Sequence, residues 1–165
     1  MTEKCETGLL TDPVDRPQPL GVGRSLLQLA EWSDRLEFGV PEIDAQHRQF
    51  YELAASFNGA KDQVRVMKTL ALLSDYIRRH FRDEEELMAA CNYPGLRAHC
   101  RLHAHFRHML ADLFSRAGRM ELDEIGEEVR YLINGWFSHH IVTVDFDYAP
   151  YVAPGQAVRR RRSAG

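Results

Sequence analysis

Apolar residues recur at steps of three and four along four stretches of this chain, the spacing of a single helix face. The first stretch opens at Pro41, a favoured first helical position, and stops at Asn58-Gly59. Its stripe is Ile43, His47, Phe50, Ala54 and Phe57. A second stretch runs from about Asp62 to Ala90 along Val66, Leu70, Leu73, Ile77, His80, Glu84 and Leu87, and Asn92-Tyr93-Pro94-Gly95 then breaks it. The third carries Leu96, His99, His103, Phe106, Leu110, Leu113 and Ala117 and ends at Gly118. The fourth carries Leu122, Ile125, Val129, Leu132 and Trp136, followed by His139-His140. Long segments joined by turns of a few residues must fold back on one another. The pattern predicts an all-α, up-down-up-down antiparallel four-helix bundle.

The ends of the chain read differently. Residues 1–29, with Pro13, Pro17, Pro19, Gly21 and Gly23 among scattered charges, are expected to be a flexible leader. Residues 30–152 hold the bundle. Residues 153–165 include Arg159, Arg160, Arg161 and Arg162, and read as a solvated basic tail rather than an anchor for an anionic partner. A length of 165 residues suits one domain, and 44% hydrophobic with 27% charged residues is a globular balance that excludes wholesale disorder. No apolar run of about 18 residues exists to span a bilayer, and no secretory signal is read at the N-terminus. A formal net charge of −3 argues against general nucleic-acid binding. Three cysteines are an odd count and fit no disulfide framework, which points to a reducing cytoplasm. Cys91 and Cys100 flank the second turn and read as isolated thiols.

What changes the picture is where the ionisable residues fall. His47, His80, Glu84, His99 and His103 sit at positions the periodicity assigns to the core. One buried histidine is an ordinary core residue with a partner, but five ionisable groups on three facing stripes each need a partner out of water. A metal supplies one to all of them. His80 and Glu84, and likewise His99 and His103, are i, i+4 pairs that leave one helix face a turn apart. Glu84 and His99 lie at similar heights on either side of the Asn92–Gly95 turn, so the two pairs can meet. The fourth segment is less tidy: the periodicity leaves His139 and His140 as alternatives. Asp145, five residues past His140, is about 140° away on a regular helix. It reaches the same site only if the helix ends or distorts, and the β-branched run Ile141–Val144 is where that is expected.

These stretches resemble the hemerythrins, in particular the single-domain bacterial hemerythrins. The resemblance rests on Trp32-Ser-Asp, Phe38-Gly-Val and Ile43-Asp-Ala-Gln-His47, then His80-Phe-Arg-Asp-Glu84-Glu85. It continues through Tyr93-Pro94, His99 with His103, and Trp136 to His140 with Ile141, Asp145 and Tyr148. It implies two iron ions joined by an oxo or hydroxo bridge. His99, His103 and His140 would hold one iron, His47 and His80 the other, and Glu84 and Asp145 would bridge them, with His139 an outsider. The second iron would then keep one position open for dioxygen. Phe50, Phe81, Trp136, Phe137 and Ile141, beside ligands or one turn away, would enclose that position in apolar surface.

The resemblance thus implies a carrier or store of dioxygen, not an enzyme; a cytoplasmic monomer with a protein recipient for the oxygen is expected. One rival is a sensor of oxygen, nitric oxide or redox state, and another is a di-iron oxidase or peroxidase. Carboxylate-rich di-iron enzymes use Glu-x-x-His on two helices, and this chain has no such motif. Seven candidate ligands also exceed what one tetrahedral zinc uses. His105 and His108, off the third stripe, and Glu85 and Glu86 are expected on solvated faces.

Overall fold

The computed structural model describes residues 32–37, 39–57 and 62–152; the predicted leader and basic tail lie outside the described residues. Helix boundaries follow local chemistry. Helix α1 (Pro41–Ala55) has proline in its first turn. Gly39 just before it has a positive φ of 96°, which glycine adopts at no steric cost. Its N–H donates to Asp44 Oδ2 at 3.1 Å. Helix α2 (Gln63–Ala90) starts where the Asp62 carboxylate accepts from Val64 N at 3.0 Å. It ends with Asn92 at φ 56°, while Tyr93 N and Asn92 N donate back to Met88 O and Ala89 O. Those two bonds form a Schellman cap, and asparagine tolerates the left-handed position it requires. Gly95 then admits the Tyr93 ring, which a Cβ there would meet at 2.5 Å. Helix α3 (Leu96–Ala117) follows at once, so this short turn fixes the register of α2 against α3.

The fourth rod is continuous but irregular. A Glu121–Glu124 capping box opens α4 (Leu122–Arg130). A π-helical stretch, Tyr131–Phe137, leads into α5 (Ser138–His140). A second π stretch, Ile141–Asp145, leads into α6 (Phe146–Val152). The distortion expected between His140 and Asp145 is therefore a widened turn rather than a helix end. The first wide turn has no signal in the periodicity. Ser138 Oγ donates to Ile133 O at 2.8 Å, and Tyr51 OH then donates to Ser138 Oγ at 2.5 Å, tying this turn to α1.

Helix α1 packs on α2, α2 on α3 and α3 on the fourth rod, whose end returns to α2 through α6, giving the four-helix bundle. The apolar core is in two parts. The larger includes Phe50, Leu70, Ile77, Phe81, Phe106, Leu113, Phe137 and Ile141. The smaller joins Val40, Ile43, Met88, Tyr148 and Ala149. Helices α1 and α2 and the fourth rod give buried residues to both parts, α3 adds only the half-buried Leu96 to the smaller, and the buried ionisable residues of the site lie between the two. No helix among the described residues is long and apolar enough to cross a membrane. Cys91 is a free thiol, and Cys100 is disulfide-bonded. The expectation of isolated thiols thus fails at Cys100.

Leu113→Ala, at a site 1% exposed, is expected to destabilise the chain by ~2–5 kcal/mol through a core cavity. Leu72→Ala, at a site 55% exposed, is expected to stay within about 0.5 kcal/mol of wild type. Urea titration of both variants measures the contrast.

Candidate metal centre

Seven buried side chains, none more than 2% exposed, converge between the two apolar clusters. His47 comes from α1, His80 and Glu84 from α2, His99 and His103 from α3, His140 from α5, and Asp145 from the second π stretch. His99 Nε2 lies 2.9 Å from His103 Nε2 and 3.2 Å from His140 Nε2. Glu84 Oε2 is 3.2 Å from His103 Nε2 and 3.4 Å from His80 Nε2, and Glu84 Oε1 is 3.9 Å from His47 Nε2. Asp145 Oδ1 is 3.1 Å from His140 Nε2 and 3.3 Å from His99 Nε2, while Oδ2 is 3.5 Å from His47 Nε2. Each carboxylate therefore reaches histidines on both sides. Among the described residues, two groups could each hold an ion: Glu84, His99, His103, His140 and Asp145, and His47, His80 and Glu84.

The i to i+5 bonding of a π turn explains how His140 and Asp145 meet. On a regular helix they would diverge, but a turn closed five residues on stacks them. His140 is buried and His139 is exposed, which decides between the two alternatives. His105 is half-buried and His108 exposed, and neither joins a metal group.

Proton positions test whether a cation fits. His80 Nδ1 lies 2.8 Å from Gln46 Oε1, so the N–H belongs on Nδ1 and Nε2 keeps a bare lone pair. That lone pair faces Glu84 Oε2, and both atoms are buried without a hydrogen-bond partner. His103 Nδ1 likewise bonds Glu85 Oε1 at 2.9 Å, which leaves its Nε2 lone pair toward Glu84. Both Asp145 oxygens also lack a properly oriented donor. Lone pairs facing lone pairs in a dry core repel, and a cation among them turns each contact attractive. The donor set of five imidazoles and two carboxylates suits a transition metal.

Protonation agrees. Burial lowers the pKa of His47 to about 4 and those of His80 and His103 to about 3, so all three are neutral imidazoles at neutral pH, the form a metal ion needs. Burial would lower His140 too, but the Asp145 charge outweighs it and raises the pKa. Glu84 is raised by burial and by the charge of Asp145. Asp145 is held well below the usual carboxylate range despite its burial, chiefly by the charge of His140.

A family model described as the hemerythrin HHE cation binding domain matches residues 39–152. The chain belongs to the hemerythrin family. It is 32% identical over 146 residues to the Bacteriohemerythrin of Stenotrophomonas maltophilia (strain R551-3), covering 84% of this chain and 93% of that one. It is 30% identical over 124 residues to the Bacteriohemerythrin of Pseudomonas aeruginosa (strain LESB58), covering 73% and 80% of the two chains. Over 117 residues it is 30% identical to the Myohemerythrin of Sipunculus nudus, covering 71% and 88%.

Around this hemerythrin-family centre, Phe81 stacks on His103 at 3.7 Å and 6°, and also meets His80 at 5.5 Å. Phe137 presents its edge to His47 and His80 at 5.7 and 5.9 Å. Trp136, half-buried, stacks on His140 at 4.6 Å, on the three-histidine side. Phe50 sits behind Phe137 at 4.2 Å, and Ile141 is fully buried in the larger cluster. Several contributors escape the stripe analysis. Glu85, expected on a solvated face, is half-buried, because His103 and Arg107 both hold its Oε1. Those contacts also lower its pKa against the effect of burial. Gln46 orients His80, and Tyr148 OH donates to Glu84 Oε1 at 2.7 Å. The Trp32 ring lies 6.4 Å from His47. All four lie within the stretches that carry the family resemblance, which is the only signal the sequence offers for them.

His80→Ala is expected to lose metal from the two-histidine side while His105→Ala retains it, read as metal ions per chain by elemental analysis. A pH dependence also follows. Below its unfolded pKa of 6.5, His80 binds more protons in the unfolded chain, so its contribution is complete above that pH and is lost as pH falls through about 3. Between about pH 6 and 4, metal-free His80→Asn is expected to lose stability less steeply than metal-free wild type by ~1.4 kcal/mol per pH unit. Urea titrations across that range measure it.

Proposed function

We propose that this chain binds dioxygen reversibly at two iron ions and serves as a carrier or store rather than an enzyme. The observation that carries the reading is the asymmetry of the buried donor set. Three histidines and two shared carboxylates stand on one side; two histidines and the same carboxylates stand on the other. The two-histidine position has one fewer protein donor and so has room for an added ligand. Iron ions held there would supply the electrons for dioxygen uptake and recover them on release.

The chain's own residues favour release over chemistry. Phe81 and Phe137 line His80 and His47 with aromatic surface. These apolar walls withhold the water and protons that a departing anion would need, whereas a neutral gas molecule would leave freely. Tyr148 directs its only O–H to Glu84, and burial followed by the charge of Glu84 pushes its pKa well above 10. It therefore keeps its proton and offers none to a ligand. Two carboxylates among seven donors also stabilise highly oxidised iron less than the four acidic ligands of carboxylate-rich di-iron enzymes. The names of the relatives, bacteriohemerythrins and a myohemerythrin, fit the same reading.

Anaerobically reduced, iron-loaded protein provides the test. A visible charge-transfer band is expected to appear on adding oxygen and to vanish on purging with argon. Rapid irreversible conversion to the diferric form would instead indicate a sensor or an oxidase. The absence of any iron-dependent spectrum would defeat the di-iron reading itself.

A further inference from the structure

Behind the site-facing nitrogens, two histidines lean on partners of different charge. His103 Nδ1 meets the Glu85 carboxylate at 2.9 Å, and Arg107, one turn beyond His103, holds the same oxygen at 3.3 Å. The Arg107 guanidinium also lies 5.7 Å over the Phe81 ring that stacks on His103, so it is braced from two sides. His80 Nδ1 meets a neutral amide, Gln46 Oε1, at 2.8 Å. Gln46 Nε2 in turn donates to Asp83 Oδ2 at 3.0 Å. This orientation of Gln46 is fixed by chemistry, since only its NH₂ group can meet a carboxylate. The Tyr76 hydroxyl donates to the Gln46 backbone carbonyl at 3.0 Å and holds the residue in place.

An imidazole N–H directed at a carboxylate gives up more of its proton than one directed at an amide. The ring becomes more negative and its opposite nitrogen a stronger donor. Behind His103 a carboxylate, shared with Arg107, is in direct contact. Behind His80 the charge of Asp83 stands one amide away.

Resting on the two-iron reading above, we infer that Glu85 and Gln46 are positioning residues that give the two metal positions unequal donor strength. The carboxylate-backed three-histidine position favours the more highly charged ion. The amide-backed two-histidine position, the one with a coordination position to spare, favours the less charged ion. Neither residue touches the ligand; each acts through its histidine.

The test reads the midpoint potential of the iron-loaded full chain by anaerobic spectroelectrochemistry, with iron affinity from chelator competition. Glu85→Gln removes the charge behind His103. It is expected to raise the potential and to weaken iron binding by ~10–100-fold. Gln46→Glu combined with Asp83→Asn moves an existing charge into contact with His80 at constant net charge, and is expected to lower the potential. Shifts of the same sign in both, or no shift in either with iron retained, overturn the inference. If Glu85→Gln does not hold iron, the sign of the shift in the double variant decides alone. Because the potentials are read without oxygen, a wild type that fails to bind oxygen reversibly defeats the carrier reading and leaves this one standing.

Discussion

Repulsion among lone pairs in a dry interior is the constraint around which this bundle is arranged. Glu84 faces the bare nitrogens of His80 and His103, and Asp145 crowds the opposite side of the same layer. A buried polar group without a partner costs ~1–3 kcal/mol, and a domain of this size has only about 5–15 kcal/mol of net stability. Such a layer survives folding only if the rest of the molecule compensates and something of opposite charge belongs there. The compensation is visible in the larger apolar cluster, where rings from all four rods interlock.

The same constraint accounts for the irregular fourth rod. Three rods deliver their donors from regular turns, with His80 and Glu84, or His99 and His103, four residues apart. The last rod must bring His140 and Asp145 to the layer from positions five apart, and a π turn is the helical geometry that does so. Its upstream companion at Tyr131–Phe137 is held from outside, by Tyr51 through Ser138. That upstream turn is thus fastened in place by a neighbouring helix.

Most of this was legible in the chain, for a physical reason. Helical periodicity records burial, and a histidine or glutamate on a buried stripe contradicts its own chemistry, so the contradiction marks the site. His47, His80, Glu84, His99 and His103 announce themselves in that way. His140 and Asp145 do so only through a spacing that a regular helix forbids, and the choice of His140 over His139 came from the resemblance. Glu85 could not be read from a stripe, because it lies at the edge of one and its burial is supplied by Arg107 on another helix. Gln46 is an amide on an exposed-to-buried boundary, where periodicity says nothing about hydrogen bonding. The first π stretch follows the apolar rhythm of an ordinary helix, and the Tyr51 hydroxyl that ties it to α1 is far away in sequence.

The layer also divides the molecule mechanically. Val40, Ile43, Met88, Tyr148 and Ala149 form a small apolar unit beyond it, joined to the large one by four rods and a polar seam. Units joined across such a seam can open separately, the small one at lower free energy than the large one. A cation drawing ligands from all four rods would clamp the seam shut. Loading the centre would then change the cooperativity of the fold as well as its stability, converting two loosely coupled parts into a single melting unit.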